Sequence, residues 1–145
     1  MRITESLKIE HQLLRQMMDT MSRWMTEGVE PDKLRERAVM LEAAINCHAK
    51  REERQLYAPL NDHSEIAHDL VIMVERVHLE VRKLFEALAE PTSEPKELLP
   101  RIIDFTGAHF TEEETGLFPL AEKLLEQKAL GEDSPSAYPN QEWDA

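Results

Sequence analysis

Apolar residues recur at intervals of three and four along most of the chain, the spacing of helices that each bury one face. Four stretches carry this pattern, at about residues 4–27, 31–60, 64–89 and 98–124. Gly28, Asn61–Ser64 and Pro91–Pro95 separate them with residues that favour turns and helix ends. Short turns between helices of this length predict an all-α fold, an up-down-up-down antiparallel four-helix bundle.

Prolines lie near the ends of two of these helices. Pro31 suits the first turn of the second helix, but Pro100 leaves the start of the fourth ambiguous. Pro119 is expected to end or bend the fourth helix, since its ring clashes with the preceding turn. We place the bundle in residues 1–130 and interpret 131–145, which is rich in Pro, Ser and acids, as a flexible acidic tail.

Composition limits the classes of function. The chain has 145 residues, enough for one domain, and a net charge of −12 that argues against nucleic acid or an anionic membrane as partner. It does not argue against cations. The sequence has no recognisable signal peptide or membrane-spanning stretch, and its single cysteine, Cys47, cannot form an internal disulfide. We therefore expect a cytoplasmic protein in which Cys47 packs, with a redox switch as the alternative.

Polar residues interrupt the apolar face of every predicted helix. Each helix turns one histidine inward, and two helices add a glutamate four positions later, on the same face. The six residues are His11, His48, Glu52, His78, His109 and Glu113. Burying two unpaired carboxylates would be very costly, whereas metal ions would coordinate the oxygens and imidazoles together. The set is too large for one zinc ion and suits two metals that share two carboxylates.

The two halves of the sequence repeat this arrangement, with 67 residues from His11 to His78 and 61 from His48 to His109. Similar halves favour two similar metal positions. A single inward histidine is more often an ordinary core residue, and the prediction depends on the whole set. The ferritin-like alternative needs Glu-x2-His on two helices, but Glu75–His78 alone has that spacing. His63 and His68 lie off the pattern and are expected at the surface.

These motifs resemble the hemerythrin-like, or HHE cation-binding, family over about residues 3–125. Its early histidine preceded by glutamate corresponds to Glu10–His11, and its helix-three histidine to His78. The H-x3-E motif corresponds to His48 and Glu52. The final motif H-x3-E-E-x2-L-F-P corresponds to residues 109–119. The resemblance implies a four-helix bundle around a non-haem di-iron centre in the core.

Two departures separate the chain from the oxygen-carrying members. Arg82 stands where the carriers have a second helix-three histidine, and Glu113 and Glu114 replace a motif with Asp five residues after its histidine. The chain resembles the four-histidine, two-glutamate type, for which sensing, redox and repair roles are reported.

This resemblance implies two Fe ions with an oxo or hydroxo bridge; Mn and Zn remain alternatives. His11 and His48 would bind one iron, His78 and His109 the other, and Glu52 and Glu113 would bridge them. Glu10, Glu53, Glu75 and Glu114 are candidates to orient the imidazoles. Tyr57 and Phe118 occupy matching positions in the two halves and are expected to close the core below the metals.

The expected function is binding of, or reaction with, O2, NO or peroxide, in oxygen or NO sensing or in redox defence. Whether the protein is an enzyme stays open. The alternative is an iron-handling or repair protein, or a metal-stabilised interaction protein without turnover. In that case the tail would contact a protein partner.

Overall fold

The apolar spacing produces helices over nearly all of residues 1–125, the part of the chain that the computed structural model describes. The helices are α1 (Ile3–Thr26), α2 (Pro31–Glu52), α3 (Ala58–Asn61), α4 (Glu65–Ala89), α5 (Pro95–Glu112) and α6 (Phe118–Leu124). Two π-helical segments, Glu53–Tyr57 and Glu113–Leu117, join α2 to α3 and α5 to α6. The chain thus forms four rods, which confirms the predicted four-helix bundle. The predicted tail, 131–145, lies outside the described residues.

Gly28 ends α1, as its position in the sequence predicts. Its backbone has φ +80, a left-handed conformation that a side chain would strain. This conformation brings the Gly28 N–H to the Met25 carbonyl at 3.2 Å and the Val29 N–H to the Trp24 carbonyl at 3.1 Å. These paired bonds satisfy two of the carbonyls left open at the helix end.

Two prolines are accommodated by the π-helical segments. A proline in an α-helix clashes with the carbonyl four residues before it, so Pro119 was expected to end or bend the fourth helix. Instead, the wider π-turn lets the preceding residue, Phe118, donate to the carbonyl of Glu113, five positions back. Ala58, which precedes Pro59, bonds to Glu53 in the same way. Both rods therefore continue past their prolines.

The other helix starts follow ordinary capping rules. The Ser64 hydroxyl accepts a hydrogen bond from the Ala67 N–H at 3.2 Å and caps α4. Pro95 opens α5, so Pro100 lies inside that helix and does not mark its start.

The hydrophobic core is divided into two clusters of buried side chains. One cluster includes Leu14, Ile45 and Val81, and the other includes Leu7 and Leu56. In α1 the boundary falls between Leu7 and Leu14, where His11 lies, and the other rods have histidines at corresponding levels. Phe105, three residues after the buried Ile102, has the spacing of that apolar face but is 45% exposed.

None of the helices within residues 1–125 is both long enough and apolar enough to span a membrane. The cytoplasmic location expected from the sequence stays a prediction.

Candidate metal centre

The polar layer between the two clusters contains all six residues that the sequence singled out. Each is buried, with at most 7% of its surface exposed: His11, His48, Glu52, His78, His109 and Glu113. The histidines come from α1, α2, α4 and α5, while the two glutamates lie where α-helix gives way to π-helix. The histidine and glutamate of each pair share a helix face because the residues are one turn apart. The expected inward direction of every one of these side chains is confirmed.

Glu52 lies at the centre of the cluster. Its Oε1 atom contacts the Nε2 atom of His48 and lies 3.5 Å from that of His11. Its Oε2 atom faces the opposite way, 3.7 Å from Nε2 of His78 and 3.9 Å from Nε2 of His109. The two oxygens of one carboxylate thus face two different pairs of histidines.

Glu113 lies between the pairs in a different manner. Its Oε1 atom is 3.5 Å from Nε2 of His11 and 3.2 Å from Nε2 of His109, so one oxygen approaches a histidine of each pair. Nε2 of His78 and Nε2 of His109 are 3.0 Å apart. Nitrogen and oxygen donors therefore crowd into one small volume.

Several of these buried atoms have no hydrogen-bond partner among residues 1–125. They are Nε2 of His11, Nε2 of His48, Oε1 of Glu52 and Oε1 of Glu113. Unpaired buried polar atoms are costly, and a cation would satisfy all four together. Among the described residues, two groups could each hold a metal ion, and within each group the donor atoms lie within 4.8 Å of one another. The first group is His11, His48, Glu52 and Glu113, and the second is Glu52, His78 and His109.

Comparison with known proteins agrees with this geometry. The family model described as the hemerythrin HHE cation binding domain matches residues 2–121. The chain belongs to the hemerythrin HHE family. No curated protein and no solved structure matched the chain in the same comparisons. Membership of a cation-binding family supports a metal site in this chain, and the buried histidines and glutamates of the polar layer fit such a site.

Tyr57 adds a hydroxyl to this hemerythrin-like site. Its hydroxyl oxygen lies 2.5 Å from Oε2 of Glu52 and 2.6 Å from Oε2 of Glu113, so its single O–H is shared between the two carboxylates. Burial, and then the two carboxylate charges, raise the pKa of Tyr57 well above its usual value. Its place next to the site was expected from the repeat. The shared hydrogen bond was not, because it depends on how the helices are rotated.

Three of the four imidazoles are held by carboxylates on their far side. The Nδ1 atoms of His11, His48 and His78 lie 3.2, 2.8 and 3.1 Å from Glu114, Glu10 and Glu53, respectively. Each of these carboxylates in turn accepts from an arginine, and the arginines are Arg15, Arg51 and Arg82. Such partners fix the ring orientation and strengthen imidazole as a ligand. The fourth candidate, Glu75, is exposed and takes no such position.

Arg82 stands where the oxygen-carrying members of the family have a second histidine on the third helix of the bundle. Its guanidinium donates to Glu53 at 3.2 Å, and Glu53 lies against His78. The side chain therefore supports a neighbouring imidazole through a carboxylate.

Close packing of charges shifts the pKa values of the site. Burial raises the pKa of Glu113 well above its ordinary value, and the Glu52 charge raises it further. Burial also acts to raise the pKa of Glu52, but the charge of His48 and the neighbouring polar groups hold this pKa well below its ordinary value. Burial alone would lower the pKa of His48, yet Glu52 and Glu10 raise it to about 9. Burial lowers the pKa of His109 to about 4.

The remaining candidates lie outside the metal site. His63 and His68 are exposed, as expected, and Cys47 is half-buried.

Proposed function

We propose that this hemerythrin-like chain is a non-haem di-iron protein that binds or reacts with O2, NO or peroxide. The observation that carries the proposal is the Glu52 carboxylate, whose two oxygens face separate histidine pairs. A carboxylate buried between two pairs of imidazoles suits two cations better than one. Iron is favoured over manganese and zinc by membership of the hemerythrin family.

The donor atoms divide between two metal positions. His11 and His48 would hold one ion with Oε1 of Glu52, and His78 and His109 would hold the other with Oε2. Glu113 would bridge the two, since its carboxylate approaches His11 and His109. On this division the chain gives each ion two nitrogens and two oxygens. Six-coordinate iron would then retain positions for a small exogenous ligand.

Iron ions held there would supply the redox chemistry towards O2, NO or peroxide. The chain's own residues would control the surroundings. The two apolar clusters limit access of water from both ends of the bundle. Tyr57 holds a proton between the bridging carboxylates, and Glu10, Glu53 and Glu114 keep three imidazoles in fixed orientations.

Metal analysis with a visible spectrum of aerobically purified protein tests the proposal. We expect two irons per chain and a charge-transfer band that reductant removes. Return of that band with O2, or a new band with NO, would support a ligand-binding role, and consumption of peroxide would indicate an enzyme. Bound metal with no spectral response to O2, NO or peroxide would favour the metal-stabilised interaction protein. Absence of bound metal would contradict the proposal.

A further inference from the structure

The two halves of the site are not equivalent, and the difference concerns His109. Its Nδ1 atom is buried and has no hydrogen-bond partner among residues 1–125, whereas the other three imidazoles each contact a carboxylate. The internal repeat explains why. Glu10, directly before His11, serves His48 on the neighbouring helix, and the corresponding residue directly before His78 is Val77.

An imidazole without a carboxylate partner is a weaker electron donor to its metal. An ion held by His78 and His109 would therefore be more electron-poor than one held by His11 and His48. Such an ion attracts an additional anionic ligand more strongly. The chemistry of the donors thus favours the His78/His109 half for exogenous ligands.

A small cavity adjoins this half of the site. It has a volume of about 20 Å³, and α1 contributes none of the described residues that line it. A single water molecule needs about 10–15 Å³, so this volume suits a ligand of a few atoms. Its wall includes His78, His109 and His48, together with Arg82 and Thr106. Two of these three histidines belong to the electron-poor half, and the guanidinium of Arg82 favours negative charge nearby.

Thr106 is unlike other threonines in the helical rods. Its side chain is 2% exposed, and its hydroxyl has no hydrogen-bond partner among residues 1–125. Helical threonines commonly donate to the carbonyl four residues before them. Four threonines of this chain do so: Thr20, Thr26, Thr111 and Thr115. A buried hydroxyl left without such a bond, in the wall of a cavity next to a metal site, is available to a ligand.

We propose that the exogenous ligand binds at the His78/His109 half of the site, within this cavity, and accepts a hydrogen bond from the Thr106 hydroxyl. The inference rests on the proposed di-iron function and specifies where its ligand lies. Thr106 is a positioning and specificity residue, and it supplies no donor to the metals.

Azide is a suitable probe because it is small, anionic and observable by its infrared stretch. The test compares the iron-loaded wild type with Thr106→Val, which removes the hydroxyl at nearly constant volume, and with Thr106→Ser, which retains a hydroxyl. Thr20→Val is the matched control, since it removes a threonine hydroxyl far along α1. Iron content and the visible spectrum before azide addition are measured first in every variant.

We expect unchanged iron content and, in Thr106→Val, azide binding weakened about fivefold to tenfold, the loss of one hydrogen bond. The azide stretch should shift in Thr106→Val, while Thr106→Ser and Thr20→Val should behave as the wild type. Equal affinity and an equal stretch in Thr106→Val and the wild type would overturn this inference. Iron-loaded wild type that binds no azide would also overturn this inference, but it would leave the di-iron proposal standing. Failure of the wild type to bind iron would overturn both.

Discussion

Glu52 shows how a single side chain determines what the site can hold. Its position four residues after His48 places it on the buried face, which the sequence was sufficient to predict. Its contact with histidines from three other helices follows from how the rods pack, which local spacing does not specify. The same applies to Glu10, which directly precedes His11 in α1 yet contacts the imidazole of His48 in α2. Residue types at helical spacing predict candidate ligands, whereas the pairing between helices requires the folded structure.

Replacing Glu52 with glutamine tests its role between the two pairs. The amide nearly preserves the shape of the side chain but lacks the charge that would bind and bridge cations. We expect metal affinity to fall more than about 100-fold, beyond the 10–100-fold cost of losing an outer partner. Metal content after dialysis against a weak chelator measures the loss, and circular dichroism reports whether the bundle persists.

Glu112→Gln is the matched control, because Glu112 lies exposed immediately before Glu113. It should retain wild-type metal content. Equal metal content in Glu52→Gln and Glu112→Gln would exclude Glu52 as a ligand.

For the helices, the sequence predicted which segments are helical better than it predicted where each helix starts and whether it continues past a proline. Both prolines that follow the H-x3-E motifs are bypassed by π-helical segments, which the clash rule for α-helices does not anticipate. Each segment begins directly after Glu52 or with Glu113, so the wider turn occurs next to the metal site. Pro100 likewise lies inside α5, because Pro95 supplies the helix start. Phe105 is exposed although its spacing suggested burial, since the apolar spacing did not fix which residues face the core.

Two glycines allow the effect of an added side chain on stability to be compared between the end of α1 and the interior of α5. Gly28 has φ +80, so Gly28→Ala should destabilise the protein by about 1–2 kcal/mol. Gly107 lies within α5, and an added Cβ there would meet no atom within 4 Å. Gly107→Ala should therefore stabilise the protein by about 0.5–1 kcal/mol.

Chemical denaturation of the metal-free proteins measures both changes in the free energy of unfolding. Opposite signs are expected for the two substitutions. The same sign for both would show that the assigned backbone conformation at one of them is wrong.

For the whole molecule, metal binding, protonation and folding are linked. The polar layer divides the core, so the metal-free bundle must bury charges that a cation would neutralise. Burial of the layer was predictable from the histidine and glutamate pattern. The distribution of protons within it was not, because it depends on distances between helices.

The pKa shifts predict that metal binding releases protons. His48, with its pKa raised to about 9, holds a proton at pH 7.5 in the metal-free protein, and the pKa of Glu113 is raised well above its usual value. His109, with its pKa lowered to about 4, holds none. A metal requires neutral imidazole and ionised carboxylate, so binding should displace at least about one proton at this pH, from His48. Affinity should therefore rise from pH 6 towards pH 9.

Calorimetric titration of the metal in buffers with different enthalpies of ionisation counts these protons. A proton count near zero, or an affinity that falls as the pH rises from 6 to 8, would contradict the assigned protonation of His48.

We propose that four histidines and two glutamates together hold two metal ions in the middle of the bundle. Anomalous diffraction at the iron absorption edge, from crystals of aerobically purified protein, locates such ions directly. We predict two peaks flanking Glu52, one beside His11 and His48 and the other beside His78 and His109. One peak, or none between these histidine pairs, would contradict the two-metal site.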